Sequence, residues 1–147
     1  MNTKEKRKIE EFETSKKVGM KEYSKIYTFD NGRVITMVAL VYKQKVDNIV
    51  KEEMSFYSDK TSKKVGEACV HLNKKRLLKK LRIGYSILHP EDEFDANIGK
   101  GLAHVRAIVH PICHMESYFT GEFNKDTVFG IMDVKARYLN DKADKVD

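Results

Sequence analysis

The stretch "SKIYTFDNGRVITMVALVYK" constrains the fold most. Asp30, Asn31 and Gly32 tolerate positive φ, and β-branched and aromatic residues flank them on both sides. That pattern reads as a β-hairpin. Its second strand, about 33–43, is long and rich in Val, Ile and Met, so both its faces need cover. A chain with such a strand builds a sheet with further layers packed on it.

The rest supplies those layers. Residues 65–72, "VGEACVHL", and 77–88, "LLKKLRIGYSIL", read as two more strands, with Ile83, Tyr85 and Ile87 alternating to one face. Residues 44–64 fit a short helix or an irregular strand, with a polar loop tip at 58–64. Residues 95–109 read as a helix capped by Asp95 and ended by Pro111. Ile98, Leu102, Val105 and Val109 would be its buried stripe. A C-terminal helix starts near Asp126 and buries Val128, Phe129, Met132 and Leu139. The expected fold is α+β: an antiparallel meander of about four strands, one helix packed on it, and a C-terminal helix. In 1–22, Ile9, Phe12 and Val18 are too few for a strong amphipathic face. The expected organisation is a charged arm over 1–22, a single domain over 23–140 and a frayed tail over 141–147.

The 147 residues carry 28 basic and 22 acidic side chains, a formal charge of +6, which suits an anionic partner as well as it suits solubility. No run of about 18 apolar residues is present, so no membrane span is expected. No apolar leader opens the sequence and Cys69 and Cys113 are too few for a disulfide framework, which points to a cytoplasmic site with reduced thiols. A core of this size leaves room for a subunit interface, and a homo-oligomer is expected.

Candidate chemistry is sparse. Cys69, His71, His110, Cys113 and His114 are zinc-type ligands without a standard spacing, so no metal is expected. Cys113 and His114 are adjacent in sequence and need not meet, and no nucleophile elbow or paired-carboxylate signature appears. No enzymatic activity and no cofactor are expected. The acids Glu91, Asp92, Glu93 and Asp95 read as compensation of a helix N-terminus. Gly99, Ala103 and Arg106 follow one another along one flank of the helix, while Gly101 stands about 160° away from Gly99 and Ala103. The flank either packs closely on the sheet or admits a ligand to Arg106, which could instead pair with Glu67 or Glu93. Residues 74–82 hold six positive charges in nine positions, a second candidate anion surface.

The segment "GYSILHPEDEFDANIGKGLAHVRA" resembles part of a group of small bacteriophage and prophage proteins. In these a strand leads to a Cys- or His-Pro-Glu-Asp turn, then Phe-Asp, then a helix of the form Gly-x-x-x-Ala-x-x-Arg-Ala. Here the first turn position is His89, and the likeness covers about one sixth of the chain. A meander with a helix is also similar in outline to the Thoeris anti-defence sponges of phages. These sequester a cyclic ADP-ribose-type signal without cleaving it. The resemblance implies a cytoplasmic protein of an infected bacterium that captures an anionic nucleotide signal, cyclic ADP-ribose-type or a cyclic nucleotide. The expected ligand set is Phe94 stacking on a base, Arg106 and Arg82 on phosphate, and Asn97 and His104 on polar edges. One alternative is nucleic-acid binding through Lys74, Lys75, Arg76, Lys79 and Lys80. Another is inhibition of a host or defence enzyme through a sheet edge or the N-terminal arm.

Overall fold

The computed structural model describes residues 1–44, 78–89, 91–117 and 122–146. In order these form helix α1 (Thr3–Thr14), strands β1 (Val18–Thr28), β2 (Val34–Gln44) and β3 (Leu78–Ile87), helix α2 (Ala96–Val109), strand β4 (Cys113–Ser117) and helix α3 (Lys125–Val146). The four strands make one antiparallel sheet in the order β1-β2-β3-β4. The α+β class, the antiparallel sheet and the C-terminal helix are as the sequence predicts. The strand expected over 65–72 and the loop tip at 58–64 lie outside the described residues. The fourth strand of this sheet is Cys113–Ser117, a segment of only five residues. Among the described residues, no helix is long and apolar enough to cross a membrane.

The hairpin turn closes with Gly32 at φ +85°, a value glycine adopts without strain. The Asn31 side chain accepts from Arg33 N at 3.0 Å and fixes the turn. Beyond it every β2 residue from Ile35 to Tyr42 is buried. Side chains alternate between faces along a strand. Ile35, Met37, Ala39 and Val41 therefore meet Val128, Met132, Ala136 and Leu139 of α3. Val38 and Leu40 meet Ala103, Ala107 and Ile108 of α2 on the other face. The sheet is the middle of three layers, and burying each large apolar side chain of β2 contributes about 1.5–3 kcal/mol.

The charged segment 1–22 divides between α1 and the first residues of β1. Asn2 caps α1, its Oδ1 accepting from Glu5 N at 2.8 Å. Ile9 and Phe12, one turn apart in effect, pack α1 against the layer that holds α2. The segment from 141 continues α3 as helix to Val146.

Helix α2 starts where expected. Asp95 Oδ1 accepts from Asn97 N at 2.9 Å and Ile98 N at 3.2 Å. Its buried face is not the one expected. Ile98 and Leu102 are exposed and Val105 is half-buried, and of the expected stripe only Val109 is buried. Ala103 and Ala107 face the sheet instead. The reason lies on β3. A Cβ at Gly84 would stand 2.2 Å from both Ala103 O and Ala107 N. The helix backbone rests directly on that glycine, and only small residues fit such a contact. Gly99 belongs to the same face, since a Cβ there would reach Thr36 Oγ1 at 3.0 Å.

Candidate anion-binding site

At the C-terminal end of α2 a hollow of about 330 Å³ opens between α1, β2 and β3. Lys8, Glu11 and Phe12 line it from α1, Tyr42 and Gln44 from β2, and Lys80 and Arg82 from β3, with Ile108, Val109 and Pro111 closing it. The strand register explains the grouping. Tyr42 pairs with Lys80 and Leu40 with Arg82, so Tyr42, Lys80 and Arg82 share the sheet face on which α1 and α2 lie.

Arg82 is the centre of the hollow. Its Nε donates to the Tyr42 hydroxyl at 3.1 Å and its Nη1 to Ile108 O at 3.1 Å. The guanidinium lies 5.8 Å from the Phe12 ring centroid, and Phe12 meets Tyr42 edge-on at 5.4 Å. Lys8 Nζ donates to Val109 O at 3.2 Å. Two cations thus answer the negative end of α2, a placement that stabilises a helix terminus by roughly 0.3–1 kcal/mol each. Capping takes one N–H from each of them. Lys80 takes no part in the cap and lies 3.4 Å from Glu116.

The hollow therefore gathers three cationic side chains, with Glu11 in its lining and Glu116 at its edge against Lys80. A neighbouring group senses the excess. His114 stands opposite Arg82 across β3 and β4. Its pKa lies below the ordinary histidine value, through burial first and then through Arg82 and Lys80, with Glu116 opposing. The reverse face of the same sheet end is basic too. Lys79, paired with Lys43, is pushed below the usual lysine range by burial and then by Lys43 and Lys21.

The ligand residues expected from the sequence are not gathered in one place. Arg82 lies in the basic hollow. Phe94 is exposed before the α2 cap and lines a second hollow of about 360 Å³ with Thr36, Ser86, Leu88 and Ile98. Asn97 is exposed in the first turn of α2. At about 1.5 Å per residue, the two ends of α2 are about 20 Å apart. His104 Nδ1 lies 2.7 Å from Glu22 Oε1, against β1. Arg106 Nη1 donates to Tyr85 O at 3.1 Å, on the opposite flank of the helix. Arg106 thus holds the β3 edge just past Ile83, the last β3 residue that β4 pairs. The ligand flank expected beside Gly99 and Ala103 is occupied by the sheet.

The basic run is also divided. Lys79 and Lys80 face opposite sides of the sheet, while Lys74, Lys75 and Arg76 lie outside the described residues. Cys113 and His114 diverge for the same reason, and burial raises the Cys113 thiol above its ordinary value. Among the described residues, no three His, Cys, Asp or Glu side chains gather as a metal site. Cys69 and His71 lie outside those residues. The sequence reading missed Lys8, Phe12 and Tyr42. The signal available was modest: Lys8 and Phe12 are spaced by four in a charged segment, and Tyr42 ends an apolar strand.

No family model, curated protein or solved structure matches the chain.

Proposed function

We propose that the protein is a non-catalytic binding protein for a small phosphate-bearing anion, held in the basic hollow at the end of α2. The observation that carries this reading is the convergence of Lys8, Lys80 and Arg82 on one concave surface, against Glu11 in its lining and Glu116 beside Lys80. A guanidinium has five N–H donors, and two of its nitrogens are engaged by Tyr42 and Ile108, which fix its plane. A phosphate takes the remaining donors with Lys80 beside them. Ile108 and Pro111 offer apolar surface for the body of a nucleotide. The hollow is at the low end of ligand-pocket volumes, which suits a ligand of nucleotide size.

The resemblance to phage proteins supplies the context: capture of a nucleotide-type defence signal in the bacterial cytoplasm, without cleavage. The divergence of Cys113 and His114 supports binding without turnover. Calorimetry with linear and cyclic nucleotides tests the reading. Heat is expected with at least one of them, with affinity about tenfold weaker in Lys80→Gln. The nucleotide should be recovered unchanged after the protein is denatured. No heat with any nucleotide would sink the proposal.

A second reading, nucleic-acid binding, is favoured by one observation. Lys21, Lys43 and Lys79 add positive charge on the reverse face, where a small ligand has no use for it. That reading expects steeply salt-dependent binding to DNA or RNA. It also expects Lys43→Gln with Lys79→Gln to weaken binding. The same pair leaves capture of a small anion unchanged.

A further inference from the structure

We propose that the hollow at the N-terminal end of α2 is a second binding site, which takes an aralkyl ammonium ion with a hydroxyl or similar polar group at its far end. It lies at the other end of α2 from the basic hollow, and neither site depends on the other. The hollow measures about 360 Å³. Ile87 and Leu88 line it from the end of β3, and Phe94, Ile98 and Leu102 from the start of α2. The last three are 52%, 63% and 47% exposed. Ligand pockets share this make-up, mostly apolar lining with a few placed polar groups.

The buried part of the lining is polar. Thr36 of β2 and Ser86 of β3 are paired across the strands and are 4% and 5% exposed. The Ser86 hydroxyl donates to Gly99 O at 2.8 Å. Among the described residues the Thr36 hydroxyl makes no hydrogen bond, and no side-chain oxygen sealed from solvent lacks one. The Thr36 hydroxyl is therefore open to the hollow it lines. Gly99 keeps the way clear, since a Cβ there would stand 3.0 Å from Thr36 Oγ1 and 3.4 Å from Ser86 Oγ. A largely buried hydroxyl without a protein partner gains from one that a ligand brings.

The charge of the lining selects a cation. Asp92, Glu93 and Asp95 all belong to it. Among the described residues no Lys or Arg joins them, in a chain of formal charge +6, and His89 stands 4.0 Å from Glu91. Asp95 Oδ1 is committed to the α2 cap. The helix N-terminus carries about half a positive charge, which Asp95 answers. Asp92 and Glu93 are exposed and make no ion pair among the described residues. They are left for the ammonium group of a ligand, and the Phe94 ring beside them attracts the same charge. An apolar body then fills the space by Ile87, Ile98 and Leu102, and its far end reaches Thr36. A phosphate-bearing anion is repelled by these carboxylates, which separates this ligand class from that of the basic hollow.

Calorimetry on the full chain with probes of one shape tests the proposal: tyramine, phenethylamine, tyrosol and 4-hydroxyphenylacetate. Tyramine carries both the ammonium and the hydroxyl, and phenethylamine lacks the hydroxyl. Tyrosol carries no charge, and 4-hydroxyphenylacetate a negative one. Tyramine is expected to bind with a Kd of about 0.1–1 mM. Phenethylamine should bind about fivefold more weakly, tyrosol about tenfold more weakly, and 4-hydroxyphenylacetate not at all. Asp92→Asn with Glu93→Gln should bring tyramine down to the affinity of tyrosol at an unchanged circular dichroism spectrum, because both positions are exposed. Thr36→Val should erase the difference between tyramine and phenethylamine. Should that variant fail to fold, the difference in the wild type still reads the hydroxyl. Lys80→Gln, in the basic hollow, should leave all the affinities unchanged. Amide NMR shifts on adding tyramine should centre on Thr36, Ser86, Phe94 and Ile98. No binding of tyramine at about 10 mM, equal binding of tyrosol or the carboxylate, or shifts centred elsewhere would overturn the proposal.

Discussion

Gly84 of β3 and Ala103 of α2 are in backbone contact: a Cβ on the glycine would lie 2.2 Å from the alanine carbonyl oxygen. The obstacle is backbone on both elements, so no side chain can swing away to make room. Gly84→Ala must push α2 off the sheet and is expected to cost about 3 kcal/mol. Gly99→Ala meets Thr36 Oγ1 at 3.0 Å and Ser86 Oγ at 3.4 Å, side-chain atoms and not backbone, and should cost less. Gly101→Ala, where a Cβ meets nothing within 4 Å, should gain about 1 kcal/mol from helix propensity. Urea unfolding of the three variants checks the order. Equal effects at all three positions would contradict the contact.

The legible part of the fold is the part where residue size and burial agree. Strand β2 could be read because both its faces are apolar, and α3 because Val128, Met132 and Leu139 recur at helical spacing and are buried. The register of α2 was visible too, but not its face. A periodic pattern gives the largest residues to the core, whereas here Gly84 admits only alanine and glycine, leaving Ile98 and Leu102 outside. Nothing within 95–109 records a glycine on a strand eleven residues earlier. Strand β4 escaped because it has only five residues, and the alternation of Cys113 and Met115 with His114 and Glu116 spans just two periods. Of the candidate site, Arg82 was legible as a phosphate ligand and Lys80 as a member of the basic run. Lys8 reaches the site through the packing of α1, a tertiary contact with no local signature.

Arg106 separates stability from binding. Its bond to Tyr85 O closes a polar group on the sheet edge, and breaking a bond with a charged partner costs about 1.5–3 kcal/mol. Arg106→Ala should therefore lower the urea midpoint while the affinity of the folded chain for a nucleotide stays within twofold. Lys80→Gln should do the reverse. Loss of affinity in Arg106→Ala at full folding would return the ligand to the flank of α2.

His114 should report on the hollow. Its folded pKa lies below the ordinary value because it is partly buried and faces Arg82 and Lys80. The unfolded chain therefore binds the proton more readily than the folded one. Stability is lost as pH falls through the ordinary histidine range toward the lower folded value, and is regained as pH rises. His114→Gln should flatten that part of the profile. A phosphate beside Arg82 and Lys80 offsets their charge, so saturating nucleotide should raise the His114 pKa toward normal. An NMR titration with and without nucleotide checks it, and a pKa that does not move would place the anion elsewhere.

On the opposite face, Tyr27 donates its hydroxyl hydrogen bond to Asp133 of α3. That bond, followed by Lys25 at 3.4 Å, holds the Asp133 carboxyl below its usual range, against the opposing effect of burial. The folded pKa is thus below the unfolded one. The resulting stability is complete above the unfolded carboxylate value and disappears as pH falls through the folded one. The carboxylate is partly exposed, so the bond contributes about 1 kcal/mol after solvent screening. Tyr27→Phe should accordingly cost about 1 kcal/mol near neutral pH and progressively less below pH ~4, near the ordinary aspartate value. Paired urea titrations of wild type and Tyr27→Phe across that range decide the matter. A difference that stays constant down to the acid end would show that the hydroxyl acts independently of the charge on the aspartate.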